Sequence, residues 1–217
     1  MDEKLLVLFN RDWTGPLLDR VMAAASSLDL WFPFLVAGIL WVAWRGGFRE
    51  RAFLVCVAVA LPVMDAWVGG TLKPLVNRPR PHQALEGVRI VDLAPAKPRF
   101  LALSKRPRIR ASRPADGEVN GRSFPSSHTL NTFSVATLCA LIFPRGWLAF
   151  LPAALVGYSR VYTGSHWPSD VLVSAMLSLG LTLLLAALLQ RGWQRLGPAR
   201  FPRLHAAHPS LFREGRA

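Results

Sequence analysis

Cysteine is nearly absent from the 217-residue chain, which has only Cys56 and Cys139. Both fall inside apolar runs, where a thiol behaves as a small hydrophobe, so no disulfide framework is expected. His, Cys, Asp and Glu do not recur at metal-ligand spacing, and neither a metal nor a cofactor is expected. Acidic residues are also scarce, 13 against 26 Lys and Arg, for a formal net charge of +13. Such an excess would fit a nucleic-acid partner, but no nucleic-acid motif accompanies it. Charged residues of both signs make up 18% of the chain and hydrophobic ones 52%, a balance too apolar for an ordinary soluble domain. The start, Met1-Asp2-Glu3-Lys4, lacks a basic region followed by a cleavable apolar stretch, so no removable signal peptide is expected.

Long apolar runs are present, and a helix needs about 20 such residues to cross a bilayer. Residues 3–26 mix apolar positions with Arg11, Asp12, Asp19 and Arg20 around a break at Gly15-Pro16, the pattern of one or two interfacial amphipathic helices. Spans are expected at about 28–44, 52–72, 126–143, 147–163 and 169–190. The polar stretch 73–122, rich in Pro, Arg and Lys, has no sustained periodicity and reads as a loop. The fold class is therefore all-α: an integral membrane bundle of about five transmembrane helices plus an N-terminal interfacial helix. It forms a single domain over 1–217, with a non-cytoplasmic loop at 82–122 and a basic cytoplasmic tail at 191–217. Trp41, Trp44, Trp147 and Trp167 suit interfacial belts.

Loop charge orients this bundle. Arg45–Arg51 holds three arginines, the tight turn 144–146 holds Arg145, and the chain after Gln190 holds six arginines against Glu214. Alternation puts these segments on one side, the cytoplasmic one. The 73–122 segment lies on the other side with twelve Lys and Arg against four acids. Its length weakens the charge rule, and a functional need for cations would explain the excess. Asp65 sits inside the second span, where an unpaired carboxylate is costly. It is either functional or paired with a core arginine.

Three polar clusters mark the outer ends of the expected spans: Lys73 to Pro81, Phe124 to His128, and Ser159-Arg160 through His166 to Asp170. Together they supply what phosphoryl transfer needs, since the transition state spreads negative charge over equatorial oxygens and is stabilised by fixed cations and N–H donors. Lys73, Arg80 and Arg160 are cations. Ser126, Ser127 and His128 open a helix after Pro125, where unpaired N–H groups favour an anion. His166 and Asp170 stand four residues apart, a spacing at which the carboxylate can accept from one ring nitrogen and leave the other free to attack phosphorus. His128 then serves as the general acid. Arg78 stands outside this set, with an anchoring or substrate-steering role, and His82, His205 and His208 read as structural.

Lys73, six residues, Arg80-Pro81; Pro125-Ser126-Ser127-His128; and Ser159-Arg160, five residues, His166, three residues, Asp170 together resemble the three-part signature of the type 2 phosphatidic acid phosphatase superfamily. The resemblance implies a helical bundle, a phosphohistidine on His166, Asp170 as its partner and His128 as acid. It also implies phosphate binding by Lys73, Arg80, Ser126, Ser127 and Arg160, with the site on the non-cytoplasmic face of a bacterial-type inner membrane. The family usually has glycine at the position of Ser127, whose N–H remains usable where the turn does not need positive φ. The expected activity is hydrolysis of a lipid phosphate or pyrophosphate, undecaprenyl pyrophosphate first and lipid A as rival. Transfer to a second lipid, haloperoxidase chemistry and non-enzymatic lipid carriage are the alternatives.

Overall fold

The computed structural model describes residues 1–114 and 122–213; the expected 82–122 loop and 191–217 tail extend partly outside these. Helix α1 (Asp2–Val7) runs through a widened turn, and the chain restarts at α2 (Pro16–Ser26). Pro16 opens α2 at no cost in hydrogen bonds, because the first helical N–H has no carbonyl partner. Helices α3 (Leu28–Arg45) and α4 (Phe48–Pro62) follow. Beyond Pro62 a wide-turn stretch, Val63–Gly69, leads into α5 (Gly70–Val76). Proline offers no N–H and crowds the preceding turn, so a local widening there has a plain cause. Asn77 stops α5 in the left-handed conformation, φ 43°, which asparagine tolerates and which commonly ends helices.

The stretch expected to be a loop carries α6 (Pro81–Ala84) and a hairpin of β1 (Arg89–Asp92) and β2 (Arg108–Ala111), antiparallel with Arg89 opposite Ala111. A 3-10 turn, Arg99–Ser104, lies between the strands. Four-residue strands are too short to give a readable alternation. Their stability comes from tertiary contacts: Val91 is buried with Met22, Leu30 and Tyr162. Asn10 bonds the β1 backbone, accepting from the Arg89 N–H at 2.8 Å and donating to the Arg89 carbonyl at 2.8 Å and the Tyr162 carbonyl at 2.7 Å. Buried Asp19 accepts from Arg89 at 2.7 Å and from the Tyr162 hydroxyl at 2.6 Å. These bonds remove the cost of an isolated buried carboxylate and tie the N-terminal helices to the hairpin.

Helices α7 (Ser127–Ile142), α8 (Phe150–Tyr162), α9 (Pro168–Arg200) and α10 (Pro202–Ala207) complete the chain. Among the described residues three helical stretches are long and apolar enough to cross a membrane: Leu28–Arg45, Phe48–Ala84 and Pro168–Arg200. Helices α7 and α8, expected as full spans, have 16 and 13 residues, or about 24 and 20 Å at the helical rise. Each is cut short by a turn of the candidate site; α7 packs in the interior of the bundle, while α8 leaves Leu151 and Leu155 exposed.

The seam between α7 and α9 fixes their register. Ser126 N–H donates to Ser174 Oγ at 2.9 Å, Ser178 Oγ to the Leu130 carbonyl at 2.6 Å and Thr182 Oγ1 to Ser134 Oγ at 2.9 Å. The steps of four on both helices repeat one face of each. Small polar residues let the backbones approach, and their hydrogen bonds hold helices together where no hydrophobic force does. At the far end the basic tail folds back, with Arg213 N–H donating to the Leu141 carbonyl at 3.0 Å. The α7–α8 turn depends on Gly146, where a Cβ would fall 1.7 Å from the Cys139 carbonyl oxygen.

Candidate active site

The three motif clusters converge at one end of the bundle. Lys73, on the last turn of α5, donates from Nζ to Ser127 Oγ at 2.6 Å at the start of α7. Ser127 does not have positive φ, since Asn77 is the non-glycine residue that does among the described residues; a side chain is thus tolerated where the family usually has glycine. Ser126 is fully buried and, instead of facing a phosphate, gives its N–H to Ser174 and accepts from Thr129 at 3.0 Å. The amide donors at this helix start are therefore those of Ser127 and His128.

A cavity of about 450 Å³ opens beside them, lined by Arg80, His128, Arg160, Thr163 and Ser165 among others. Arg160 is held by the Ser26 hydroxyl, and its buried Nε has no partner. Neither Arg80 nor Arg160 forms an ion pair among the described residues, which leaves two fixed cations free for an anion. The turn after α8 needs Gly164, at φ 70°, where a Cβ would meet the Arg89 carbonyl oxygen at 2.7 Å. That turn carries His166, next in the chain after Ser165 of the cavity wall.

His166 is 3% exposed. Its Nδ1 lies 2.6 Å from the Ser123 carbonyl oxygen, which can only accept, so Nδ1 carries the proton and Nε2 keeps its lone pair. This corrects the expectation that Asp170 accepts from His166: Asp170 Oδ2 is 4.0 Å from Nδ1. The tautomer is set by a backbone carbonyl 43 residues away in sequence. Burial pushes the imidazole well below its ordinary value of 6.5, reinforced by the charges of Arg160, Arg80 and His128.

Asp170 is fully buried and accepts from Ser123 Oγ at 2.5 Å, from the Trp167 N–H at 3.1 Å and from Arg78 Nη1 at 2.6 Å. Ser123 thus touches both members of the pair, donating to Asp170 and accepting from His166. Arg78 also pairs with Asp2 at 2.6 Å and lies over the Trp167 ring at 5.1 Å. Asp2 in turn accepts the Ser169 N–H at 2.9 Å, so two carboxylates meet the positive end of α9. Burial alone would raise the Asp2 carboxyl, but hydrogen bonds from Ser169 and Arg78 hold it below its ordinary value. Asp2, Arg78 and Ser123 were not read as site residues from the sequence. The Arg-Pro-Arg-Pro run at 78–81 was the available signal for Arg78.

Asp65 has no ion pair among the described residues, so of its two readings the pairing with a core arginine is not found there. It lies at the Lys73 corner: a Cβ built on Gly69 would stand 3.6 Å from Ser127 Oγ and 3.9 Å from Asp65 Oδ1.

The profile of the PAP2 superfamily matches residues 51–194. A lipid A 4'-phosphatase of Bacteroides thetaiotaomicron is 29% identical over 182 residues, spanning 82% of this chain and 72% of that protein. A putative undecaprenyl-diphosphatase, YbjG, of Escherichia coli is 28% identical over 82% of this chain and 75% of its own length. Among solved structures, Aquifex aeolicus LpxE superposes with a TM-score of 0.59 at 24% identity, covering 85% of this chain and 93% of that one. A transmembrane PAP2-type phosphatidylglycerolphosphate phosphatase from Bacillus subtilis gives 0.54 at 23% identity, covering 88% and 85%. These two likenesses concern the fold.

Proposed function

This chain belongs to the PAP2 superfamily and is a membrane lipid phosphatase, and we propose that it cleaves a lipid phosphate or pyrophosphate through a phosphohistidine on His166. In the first step Nε2 of neutral His166 attacks phosphorus. The bond from phosphorus to the leaving oxygen breaks, and His128 gives that oxygen its proton. In the second step water attacks the phosphohistidine, giving a proton to His128 and releasing inorganic phosphate with neutral His166.

Lys73, Arg80, Arg160 and the amides of Ser127 and His128 stabilise the equatorial charge. Ser126 holds the α7 start to α9. Asp170 positions the turn that carries His166 and offsets the charge that develops on its ring.

The observation that carries this reading is the 2.6 Å contact from His166 Nδ1 to the Ser123 carbonyl. It commits the proton to Nδ1 and keeps Nε2 nucleophilic. Further support comes from the cavity that joins His128, Arg80 and Arg160. The bacterial sources of the similar lipid A phosphatase and undecaprenyl-diphosphatase favour a bacterial-type inner membrane, and the loop charges favour this end of the bundle on its periplasmic or extracellular face. The test is release of inorganic phosphate from a panel of detergent-solubilised lipids by the wild type and by His166→Ala. Release by the wild type alone supports the reading, and no release from any lipid overturns it.

A further inference from the structure

The cavity is larger than one phosphoryl group needs, and much of its wall comes from outside the three motifs. Asp29 comes from the first turn of α3, Ser27 from the corner before it, Asp92 and Arg110 from the hairpin, and Arg99 from the 3-10 turn. This wall presents both donors and acceptors of hydrogen bonds. Arg99 is fixed by the Ala94 carbonyl at 2.9 Å and lies 3.5 Å from Ser27 Oγ. Its buried Nε has no partner, and no carboxylate pairs with it among the described residues. Arg110 pairs with Asp92 at 2.8 Å, while Asp29 has no ion-pair partner among the described residues.

Such a wall discriminates between headgroups. An ionised isoprenyl diphosphate presents only acceptor oxygens, so Asp29, which no cation pairs among the described residues, would meet it with like charge, and neither Asp29 nor Asp92 would gain a donor. A phosphatidic acid headgroup has the same defect. A sugar ring offers hydroxyl or amide donors to the two carboxylates and ring or hydroxyl oxygens to Arg99. Its own phosphate can sit between Arg80, Arg160 and His128. The volume lies in the range of small-molecule sites.

We propose that Asp29, Asp92, Arg99 and Arg110 form a saccharide subsite continuous with the phosphate pocket, so that the substrate is a phosphorylated glycolipid. This rests on the phosphatase reading, and it assigns specificity to residues that take no part in the chemistry.

The test uses the purified full chain in detergent micelles with two substrates, an acylated diglucosamine bisphosphate and undecaprenyl diphosphate. The wild type is expected to show at least a tenfold higher kcat/KM for the glycolipid. In Asp29→Asn and in Arg99→Gln the ratio of the two kcat/KM values falls at least tenfold, through KM for the glycolipid. Undecaprenyl diphosphate turnover reports that each variant is folded. Equal or better hydrolysis of undecaprenyl diphosphate by the wild type, or an unchanged ratio in both variants, overturns the subsite and leaves the phosphatase reading standing. No phosphate from either lipid overturns both.

Discussion

Arg78 Nη1 donates to Asp170 Oδ1 at 2.6 Å, and this contact supports the start of α9 from a segment 92 residues earlier in the chain. The other arm of the same guanidinium holds Asp2. Because a planar fork serves both carboxylates, lysine cannot reproduce the arrangement.

Arg78→Ala is expected to lower kcat at least tenfold and to destabilise the protein by about 1.5–3 kcal/mol, the scale of a hydrogen bond to a charged partner. Arg78→Lys should recover stability better than turnover. Phosphate release and thermal unfolding of the two variants check this, and full turnover in Arg78→Ala would refute it.

His166→Ala should abolish turnover, and Asp170→Asn should reduce it by about 100-fold or more. Rapid alkaline quench with labelled substrate reads the covalent intermediate directly, because a phosphohistidine survives alkali and hydrolyses in acid. Labelled enzyme should appear in the wild type and be missing from His166→Ala; label persisting in that variant would assign the nucleophile elsewhere.

Depression of the His166 imidazole by burial and by the Arg160 and Arg80 charges fixes the sign of two pH effects. The neutral nucleophile persists to lower pH than a free imidazole would, so the acid limb of kcat/KM should lie below pH of about 6.5. In stability, the unfolded chain binds this proton more tightly than the folded one. The contribution of the buried neutral ring is therefore fully present above about pH 6.5 and lost as pH falls toward the depressed folded value. A pH–rate profile with its acid limb above pH of about 7 would contradict the assignment.

Ser127→Gly keeps the backbone N–H and frees Lys73 from its 2.6 Å bond to the hydroxyl. Its kcat/KM should stay within about threefold of the wild type, whereas Lys73→Ala should lose about 100-fold, the scale of one transition-state donor. A large loss in Ser127→Gly would mean that the hydroxyl itself contacts substrate.

Among the described residues no group of three or more His, Cys, Asp or Glu side chains is placed to hold a metal ion. Chelators should leave phosphate release unchanged. Activity lost to EDTA and restored only by a divalent cation would overturn the metal-free mechanism.

By itself the sequence determined the helical membrane class and the three polar clusters at helix ends. Apolar run length and motif spacing are local quantities, and the chain carries them at every position. Only the tertiary structure decided which atoms meet. The Ser123 carbonyl reaches His166 and Arg78 reaches Asp170 across gaps of 43 and 92 residues, and no local period encodes such pairings. The hairpin was illegible for a similar reason: its four-residue strands persist because Asn10 and Asp19 bind Arg89 from distant segments and Tyr162 packs with Val91. Ser126 matched its motif, yet its amide serves the α7–α9 seam. A polar residue at a helix start satisfies its hydrogen bonds with the nearest partner, and packing alone sets which partner is near.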